Sequence, residues 1–252
     1  MTTHLPGKFV WFEHVSNDIP RATAFYTALL GWKIEEMKVG DTPYRMIKNG
    51  TEGIGGFWPA EPNVPNHWIS HLSVADVDAA ARAAAAAGGK VVMPPQEFGS
   101  MGRGAMIADP TGATFGIWRG KQGDRPDVEK AAMGDWFWNE HMSKSAQKAI
   151  AFYEKAFGFT HEDMDMGPGG TYHVLKMNGV ARAGLFSPPD AIDMAFWMPY
   201  VAVADCDASA NKAKQLGGTV HVPPTDIPEV GRFAVVFDPV GACFGVIRPQ
   251  MR

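Results

Sequence analysis

The sequence predicts an α+β protein made of two tandem copies, each built from two βαβββ modules. Three observations support this prediction. The chain has 252 residues, which is enough for two compact domains with their own cores. Its second half repeats the first at many positions, and each copy shows the same order of strand-like and helix-like runs. The expected division is a first domain over residues 1–119, a linker over 120–133 and a second domain over 134–252.

The repeat is defined mainly by aromatic residues, glycines and prolines. Near the start of each copy, Phe25-Tyr26 returns as Phe152-Tyr153. The other matches include Trp11 with Trp138, Trp68 with Trp197, Gly88-Gly89 with Gly217-Gly218, Pro94-Pro95 with Pro223-Pro224, and Phe115-Gly116 with Phe244-Gly245. The segment between the copies is polar and contains glycine and proline, which is typical of a linker.

Within the first copy, the predicted order is strand, helix and three strands, followed by the same order again. Asp18 and Pro20 mark a helix start, and Gly31 marks the end of that helix. Hairpin turns are expected at Gly40-Asp41 and Asn49-Gly50. The predicted helices cover 22–30 and 76–87, and the predicted strands cover 9–15, 32–37, 44–48, 53–58, 68–74, 90–93, 104–107 and 114–118.

Composition and charge favour an ordinary globular protein. With 46% hydrophobic and 20% charged residues, the chain has enough apolar side chains to fold. The formal net charge of −4 provides no basic field for phosphates, so nucleic acid is not an expected partner. No secretion signal is recognisable at the start, and no apolar run is long enough to cross a bilayer. We therefore expect a cytoplasmic protein with no membrane partner.

Two motifs occur in both copies. A Phe-Tyr-x-x-x-x-Gly-Trp/Phe segment covers 25–32 and 152–159, and an Asp-Pro-x-Gly turn precedes the last strand of each copy. In these motifs and in its double βαβββ modules, the chain resembles the vicinal oxygen chelate superfamily of glyoxalase I, bleomycin resistance proteins and extradiol dioxygenases. It is similar in particular to tandem glyoxalase-like bacterial proteins. The resemblance implies that paired modules curl mixed sheets into cups that hold a small molecule.

The resemblance also implies metal ligands on the first and last strands of the modules, and this sequence departs from that pattern. The aligned last-strand positions are all glycines: Gly55, Gly116, Gly184 and Gly245. The aligned first-strand positions carry no ordinary ligand of a divalent ion: Trp11, Ile69, Trp138 and Met198. A shift of two residues keeps the strand face and brings in instead Glu13, His71, Glu140 and Tyr200. We therefore predict no metal site and no cofactor, and a divalent metal is disfavoured.

Two interpretations of the four glycines remain open. A glycine in a strand can let a ligand lie close to the backbone, in which case all four are ligand-binding residues. Alternatively, a glycine can allow a bulge or a bend that curls the sheet without any ligand.

Glu13 and Glu140 are the candidate catalytic residues. Each belongs to a strand rich in aromatic residues, where an inward-facing carboxylate would be poorly solvated. Alternation along the strand puts Trp11 on the same face as Glu13. Burial would raise the carboxyl pKa and make each glutamate a candidate general base or an anchor for a ligand donor. The alternative is a structural glutamate that binds a backbone N–H or an arginine such as Arg103 or Arg232.

The other candidates for ligand binding are imidazole and aromatic side chains. His71 is expected to face the cup as a hydrogen-bond donor or proton shuttle, and Tyr200 takes the corresponding position in the other copy. Three tryptophans are expected to line an apolar cavity: Trp11, Trp118 and Trp138. By contrast, His14 and His141 lie on the opposite strand face and are expected to be core histidines.

Two functions of different classes remain open. The first is a metal-free binding protein whose cups hold a small, partly aromatic or apolar molecule, as the resemblance to bleomycin resistance proteins implies. The second is a lyase or isomerase of the glyoxalase type, either metal-dependent or metal-free with a glutamate as the general base. The expected partner is a small molecule, and the expected assembly is a monomer or a homodimer. A cup within one copy and a cup shared between copies are both compatible with these modules.

Overall fold

The computed structural model of the chain describes residues 2–39, 42–188 and 194–250. The predicted turn at Gly40-Asp41 lies outside this part of the chain. The first copy contains β1 (Phe9–Ser16), α1 (Ile19–Leu30), β2 (Lys33–Val39), β3 (Thr42–Asn49), β4 (Glu52–Pro59), β5 (His67–Ser73), α2 (Val77–Ala86), β6 (Lys90–Phe98), β7 (Gly102–Ala108) and β8 (Thr114–Gly120). The order of two βαβββ modules is therefore confirmed.

The second copy repeats this order. It contains β9 (Trp136–Met142), α3 (Ala146–Phe157), β10 (Thr160–Asp165), β11 (Thr171–Met177), β12 (Val180–Phe186), β13 (Phe196–Ala202), α4 (Cys206–Gln215), β14 (Thr219–Ile227), β15 (Gly231–Phe237) and β16 (Cys243–Pro249). A short 3-10 turn at Gly167–Gly169 joins β10 to β11.

Each copy forms one mixed sheet of eight strands. The strand orders are β2-β3-β4-β1-β5-β8-β7-β6 and β10-β11-β12-β9-β13-β16-β15-β14. In every module the first strand pairs in parallel with the last strand, and the other pairings within the module are antiparallel. The predicted α+β class and the tandem arrangement of the sheets are therefore confirmed.

The helices begin and end at residues that the sequence marks. Asp18 accepts a hydrogen bond from the backbone N–H of Arg21 at 3.1 Å and caps α1, and Asp76 caps α2 in the same way. Gly31 follows α1 in the left-handed conformation, with a φ of 74°. Among the described helices, none is long and apolar enough to cross a membrane.

Contacts divide the chain into two compact units that do not coincide with the sequence copies. Unit 1 comprises the residues up to Trp11 together with Ile69–Asp127 and Trp138–Trp197. Unit 2 comprises Phe12–Trp68, Val128–Phe137 and the residues from Met198 onward. Each unit therefore contains one module from each copy. The predicted domains over 1–119 and 134–252 describe the two copies along the sequence, and their boundaries stay a prediction.

The core of unit 2 contains a buried polar cluster. His14 Nε2 lies 2.7 Å from Asp238 Oδ2, and the Tyr26 hydroxyl donates to the same carboxylate oxygen at 3.0 Å. Trp68 Nε1 donates to the Tyr26 hydroxyl oxygen at 2.9 Å. Burial and the charge of Asp238 raise the pKa of Tyr26 well above its ordinary value, so its hydroxyl keeps the proton it donates.

Unit 1 contains the matching cluster. His141 Nε2 lies 2.8 Å from Asp109 Oδ2, and the Tyr153 hydroxyl donates to that oxygen at 3.1 Å. Trp197 donates to the Tyr153 hydroxyl at 2.9 Å, and the Thr111 hydroxyl adds a bond to Asp109 at 2.6 Å. Burial opposes ionisation of Asp109, but the hydrogen bond and charge of His141 outweigh it and hold the carboxyl pKa below its ordinary value. Both histidines on this strand face are core residues, as alternation predicts.

Candidate functional site

The parallel strand pairs place one glycine beside one polar or aromatic side chain in every module. The paired residues are Glu13 with Gly56, His71 with Gly116, Glu140 with Gly184, and Tyr200 with Gly245. Aligned residues of parallel strands point to the same face of the sheet, so each side chain faces a position without one. The two-residue shift considered for the first strands is the register that the structure has.

The register corrects one predicted residue. Gly56, and not Gly55, lies opposite Glu13. Gly55 pairs with Phe12, and a Cβ atom at Gly55 would overlap the carbonyl oxygen of Phe12. The three glycines at 53, 55 and 56 lie on both faces of the strand, so they give no side-chain pattern from which this register could be assigned.

A tyrosine holds the Glu13 carboxylate in unit 2. The hydroxyl of Tyr44 on β3 donates to Glu13 Oε1 at 2.5 Å. A Cβ atom at Gly56 would overlap this hydroxyl and lie 3.0 Å from the same carboxylate oxygen. Gly56 therefore makes room for the tyrosine–carboxylate pair, which we call the Glu13 site.

Unit 1 contains the matching arrangement. The Tyr172 hydroxyl on β11 donates to Glu140 and accepts a hydrogen bond from Trp138 Nε1 at 2.8 Å. A Cβ atom at Gly184 would overlap the Tyr172 hydroxyl. Burial and the charge of Glu140 raise the Tyr172 pKa well above its ordinary value. Tyr172 therefore stays protonated. Hydrogen bonds run from Trp138 through Tyr172 to Glu140, and the charged carboxylate is the last acceptor. We call this arrangement the Glu140 site.

An apolar row of side chains lies beside each carboxylate. In unit 1 the strand register aligns four residues on the face of the Glu140 site: Met164, Tyr172, Phe186 and Met142. In unit 2, Met37 pairs with Tyr44, and Val15 pairs with Trp58, whose ring centre is 6.1 Å from that of Tyr44. Each carboxylate therefore borders a surface of aromatic rings and flexible apolar side chains.

His71 and Tyr200 fill the space above their glycines. A Cβ atom at Gly116 would overlap the His71 imidazole, and one at Gly245 would overlap the Tyr200 ring. Trp118 meets the edge of His71, with ring centres 6.4 Å apart. These glycines therefore make room for a neighbouring side chain, which neither interpretation from the sequence included. Any ligand-binding role of Gly116, Gly184 and Gly245 stays a prediction and would act through the residues above them.

The structure groups the predicted site residues by unit. In unit 1, Trp138, Glu140 and Gly184 meet around Tyr172, and His71, Gly116 and Trp118 form a second group. In unit 2, Tyr200 pairs with Gly245, and Glu13 is held by Tyr44. Trp11 is half-buried on β1, two residues before Glu13.

Tyr44 and Tyr172 are functional candidates that the sequence reasoning missed. One signal could have found them. The chain has five tyrosines, and four of them form matched pairs between the copies. One pair is Tyr26 with Tyr153 in the core clusters, and the other is Tyr44 with Tyr172 in the two carboxylate sites.

The arginines considered as partners of the glutamates are structural residues. Arg103 forms two hydrogen bonds to Asp78 in the first turn of α2, at 2.7 and 2.8 Å. Arg232 does the same with Asp207 in α4, at 2.7 and 3.0 Å. The arginine bond lowers the carboxyl pKa of each aspartate. Both glutamates are held by tyrosine instead.

The residues present do not fit the metal that the superfamily resemblance implies. Glycine occupies the last-strand position in all four parallel pairs, so each pair offers at most one donor side chain. The Glu13 and Glu140 carboxylates are already bound by tyrosine hydroxyls. Within the described ranges, no three His, Cys, Asp or Glu side chains are grouped so that they could hold an ion. The absence of a metal stays a prediction.

Comparison with known proteins decides the family. The model of the Glyoxalase/Bleomycin resistance protein/Dioxygenase superfamily matches residues 8–117 and 141–245. The chain belongs to this superfamily. Membership confirms the resemblance inferred from the two motifs and is consistent with curled mixed sheets in both copies.

Relatives and solved structures extend this result. The chain is 37% identical over 245 residues to "Putative glyoxylase CFP32" of Mycobacterium tuberculosis, covering 95% of this chain and 94% of that protein. It is 31% identical to "Anthracycline biosynthesis protein DnrV" of Streptomyces peucetius, covering 98% and 95%. A manganese-bound glyoxalase from Novosphingobium aromaticivorans has a TM-score of 0.65 at 18% identity, covering 98% and 83%. The 2,3-dioxygenase LapB of Pseudomonas has a TM-score of 0.67 at 14% identity, covering 100% and 94%, and such identities show the fold alone.

Proposed function

We propose that the protein binds a hydroxylated, partly aromatic small molecule at its carboxylate–tyrosine sites without using a metal. The observation that supports this most is the chain of hydrogen bonds from Trp138 through Tyr172 to Glu140. This series of hydrogen bonds fixes the carboxylate in one orientation. A carboxylate can accept more than one hydrogen bond. A ligand hydroxyl is the donor that this acceptor would take.

The apolar row beside Glu140 supports an aromatic ligand. Phe186 and Tyr172 lie in register, with ring centres 6.3 Å apart, and Met164 and Met142 extend the row at its two ends. Such a surface favours flat apolar rings by stacking and by methionine–aromatic contacts. One relative is named an anthracycline biosynthesis protein, and anthracyclines are hydroxylated fused-ring molecules. That name supports this ligand class for the present chain.

The test compares 2,6-dihydroxyanthraquinone, whose hydroxyls are remote from its carbonyls and free to donate, with anthraquinone, which lacks the hydroxyls. We expect the hydroxylated compound to bind and quench tryptophan fluorescence, and the parent compound to bind more weakly. Glu140→Gln should weaken binding of the hydroxylated compound by about 10- to 100-fold, because a hydrogen bond to a charged group contributes about 1.5–3 kcal/mol. The matched control is Glu162→Gln, an exposed glutamate on β10 that pairs with Lys176. Equal affinity for both compounds in the wild-type protein would contradict the proposal.

A second candidate is a lyase or isomerase of the glyoxalase type with glutamate as the general base. It is supported by the hydrogen bond that joins a carboxylate to a hydroxyl in each site, and by the glyoxylase name of a relative. The Tyr172 hydroxyl already donates to Glu140 and occupies part of the acceptor capacity of this carboxylate, which is why binding is preferred over proton abstraction. Metal-independent turnover of the methylglyoxal–glutathione hemithioacetal, lost when Glu13→Gln and Glu140→Gln are combined, would establish the enzyme instead.

A further inference from the structure

Unit 1 has a groove outside the carboxylate sites. It lies between the end of α2, the turn before β8 and one face of α3, with a volume of about 470 Å³. Its apolar lining comes from Ala87, Gly88, Pro110, Ala151 and Phe152. Pockets of this size accept small organic molecules. The groove shares no residue with the Glu140 site.

Two lysines of α3 border this groove. Lys148 and Lys155 are exposed and are seven residues apart on the helix, so their Cα atoms are about 10 Å apart at 1.5 Å rise per residue. Among the described residues, neither ammonium group has an ion-pair partner. Glu154 is the one acidic residue of α3, and it bonds His161 at 2.7 Å. An apolar floor therefore lies between two cations whose charges are not neutralised locally.

Unit 2 contains the same packing with one cation fewer. A Cβ atom at Gly89 would lie 2.8 Å from the Phe152 ring, and one at Gly218 would lie 3.2 Å from the Phe25 ring. The repeat places Arg21 at the position of Lys148 but Ala28 at the position of Lys155. The two units therefore differ in charge over a shared helix and turn arrangement.

We propose that the groove of unit 1 binds an elongated apolar molecule with an anionic group at each end, of the dicarboxylate class. One carboxylate would pair with Lys148 and the other with Lys155, while the apolar middle would cover Ala151 and Pro110. An exposed lysine–carboxylate pair contributes little by itself, so the two ends and the apolar contact each supply a part of the affinity. This site is independent of the function proposed for Glu13 and Glu140.

The experiment titrates decanedioate into the full chain and follows binding by calorimetry and by amide NMR shifts. We expect the strongest decanedioate binding at the groove of unit 1, with decanoate and decane-1,10-diol binding more weakly. Lys148→Gln and Lys155→Gln should each weaken decanedioate binding about two- to fivefold, and raised salt should weaken it further. The matched control is Lys212→Gln, an exposed lysine on α4 that should leave binding unchanged.

A variant that gains binding is the sharper test. Ala28→Lys supplies the second cation in unit 2 and should strengthen decanedioate binding there about two- to fivefold, which amide NMR shifts of α1 measure. The substituted residues are all exposed on their helices: Lys148, Lys155, Lys212 and Ala28. An unchanged unfolding midpoint therefore verifies that each variant folds. Decanoate binding as tightly as decanedioate, or a double Lys148→Gln and Lys155→Gln variant with wild-type affinity, would overturn the proposal.

Discussion

Units 1 and 2 share two arrangements and differ in what surrounds them. Both contain a buried His–Asp–Tyr–Trp cluster and a glutamate held by tyrosine above a glycine. In unit 1, Trp138 donates to the tyrosine of this pair, and the Thr111 hydroxyl donates to the aspartate of the cluster. In unit 2, Val240 occupies the position that corresponds to Thr111, and Tyr200 occupies the position that corresponds to His71. In the two shared arrangements, removal of one partner would leave a buried polar group without its hydrogen bond. The residues that differ between the units add further contacts to these arrangements.

The largest expected effect tests the shared core cluster. Asp109→Ala removes the partner of His141 and of Tyr153, and should lower the free energy of unfolding by about 3–5 kcal/mol, as expected when one member of a buried pair is removed. Asp238→Ala should do the same through His14 and Tyr26. Urea unfolding measures both values. A loss below about 1 kcal/mol for either variant would show that its cluster does not stabilise the unit.

The next effect tests the role of glycine. Gly184→Ala places a Cβ atom on the Tyr172 hydroxyl and should cost about 1–3 kcal/mol of unfolding free energy, the range for overpacked sites. The control is Gly169→Ala, whose Cβ would meet Met166 at an ordinary 3.5 Å and should change stability by no more than about 0.5 kcal/mol. If both variants unfold at the same urea concentration, the glycine is not needed for the tyrosine.

A smaller effect tests the tyrosine of each carboxylate site. Tyr172→Phe removes the acceptor of Trp138 and the donor to Glu140, so we expect a loss of about 2 kcal/mol of unfolding free energy. Tyr44→Phe removes the donor to Glu13 and should cost at least about 1 kcal/mol. Urea unfolding curves measure both losses. A change below about 0.5 kcal/mol for either variant would show that its tyrosine does not stabilise the site.

The smallest effect concerns acid. The pKa of Asp109 is lower in the folded protein than its ordinary value, so its contribution is complete above the unfolded-state pKa of about 3.9. That contribution is lost as the pH falls from this value through the folded-state pKa. The urea midpoint of the wild-type protein should therefore fall more steeply between about pH 5 and pH 3 than that of Asp109→Asn. Parallel curves would show that this carboxyl does not contribute to acid sensitivity.

Much of the fold follows from the sequence because repeats and alternation are local patterns. Phe25-Tyr26 and Phe152-Tyr153 reveal the duplication, and alternation on β1 separates Glu13 from the buried His14. The module order and the helix ends at Asp18 and Gly31 follow in the same way.

The partners of the candidate residues could not be predicted because they depend on register between strands. A bulge that skips Ile54 in β4, and one that skips Arg182 in β12, set which residues face Glu13 and Glu140. Tyr44 and Tyr172 reach the carboxylates from β3 and β11, which no spacing along the chain indicates. Nor does the repeat show that each compact unit takes one module from each copy.

The most direct test is a crystal structure of the protein grown with 2,6-dihydroxyanthraquinone in the presence of Zn²⁺, Ni²⁺ and Mn²⁺. Our account predicts a ligand hydroxyl within hydrogen-bond distance of the Glu140 carboxylate, with Tyr172 still bonded to it and no ion at that carboxylate. Density for a metal ion held by three or more side chains that include Glu140 would contradict it.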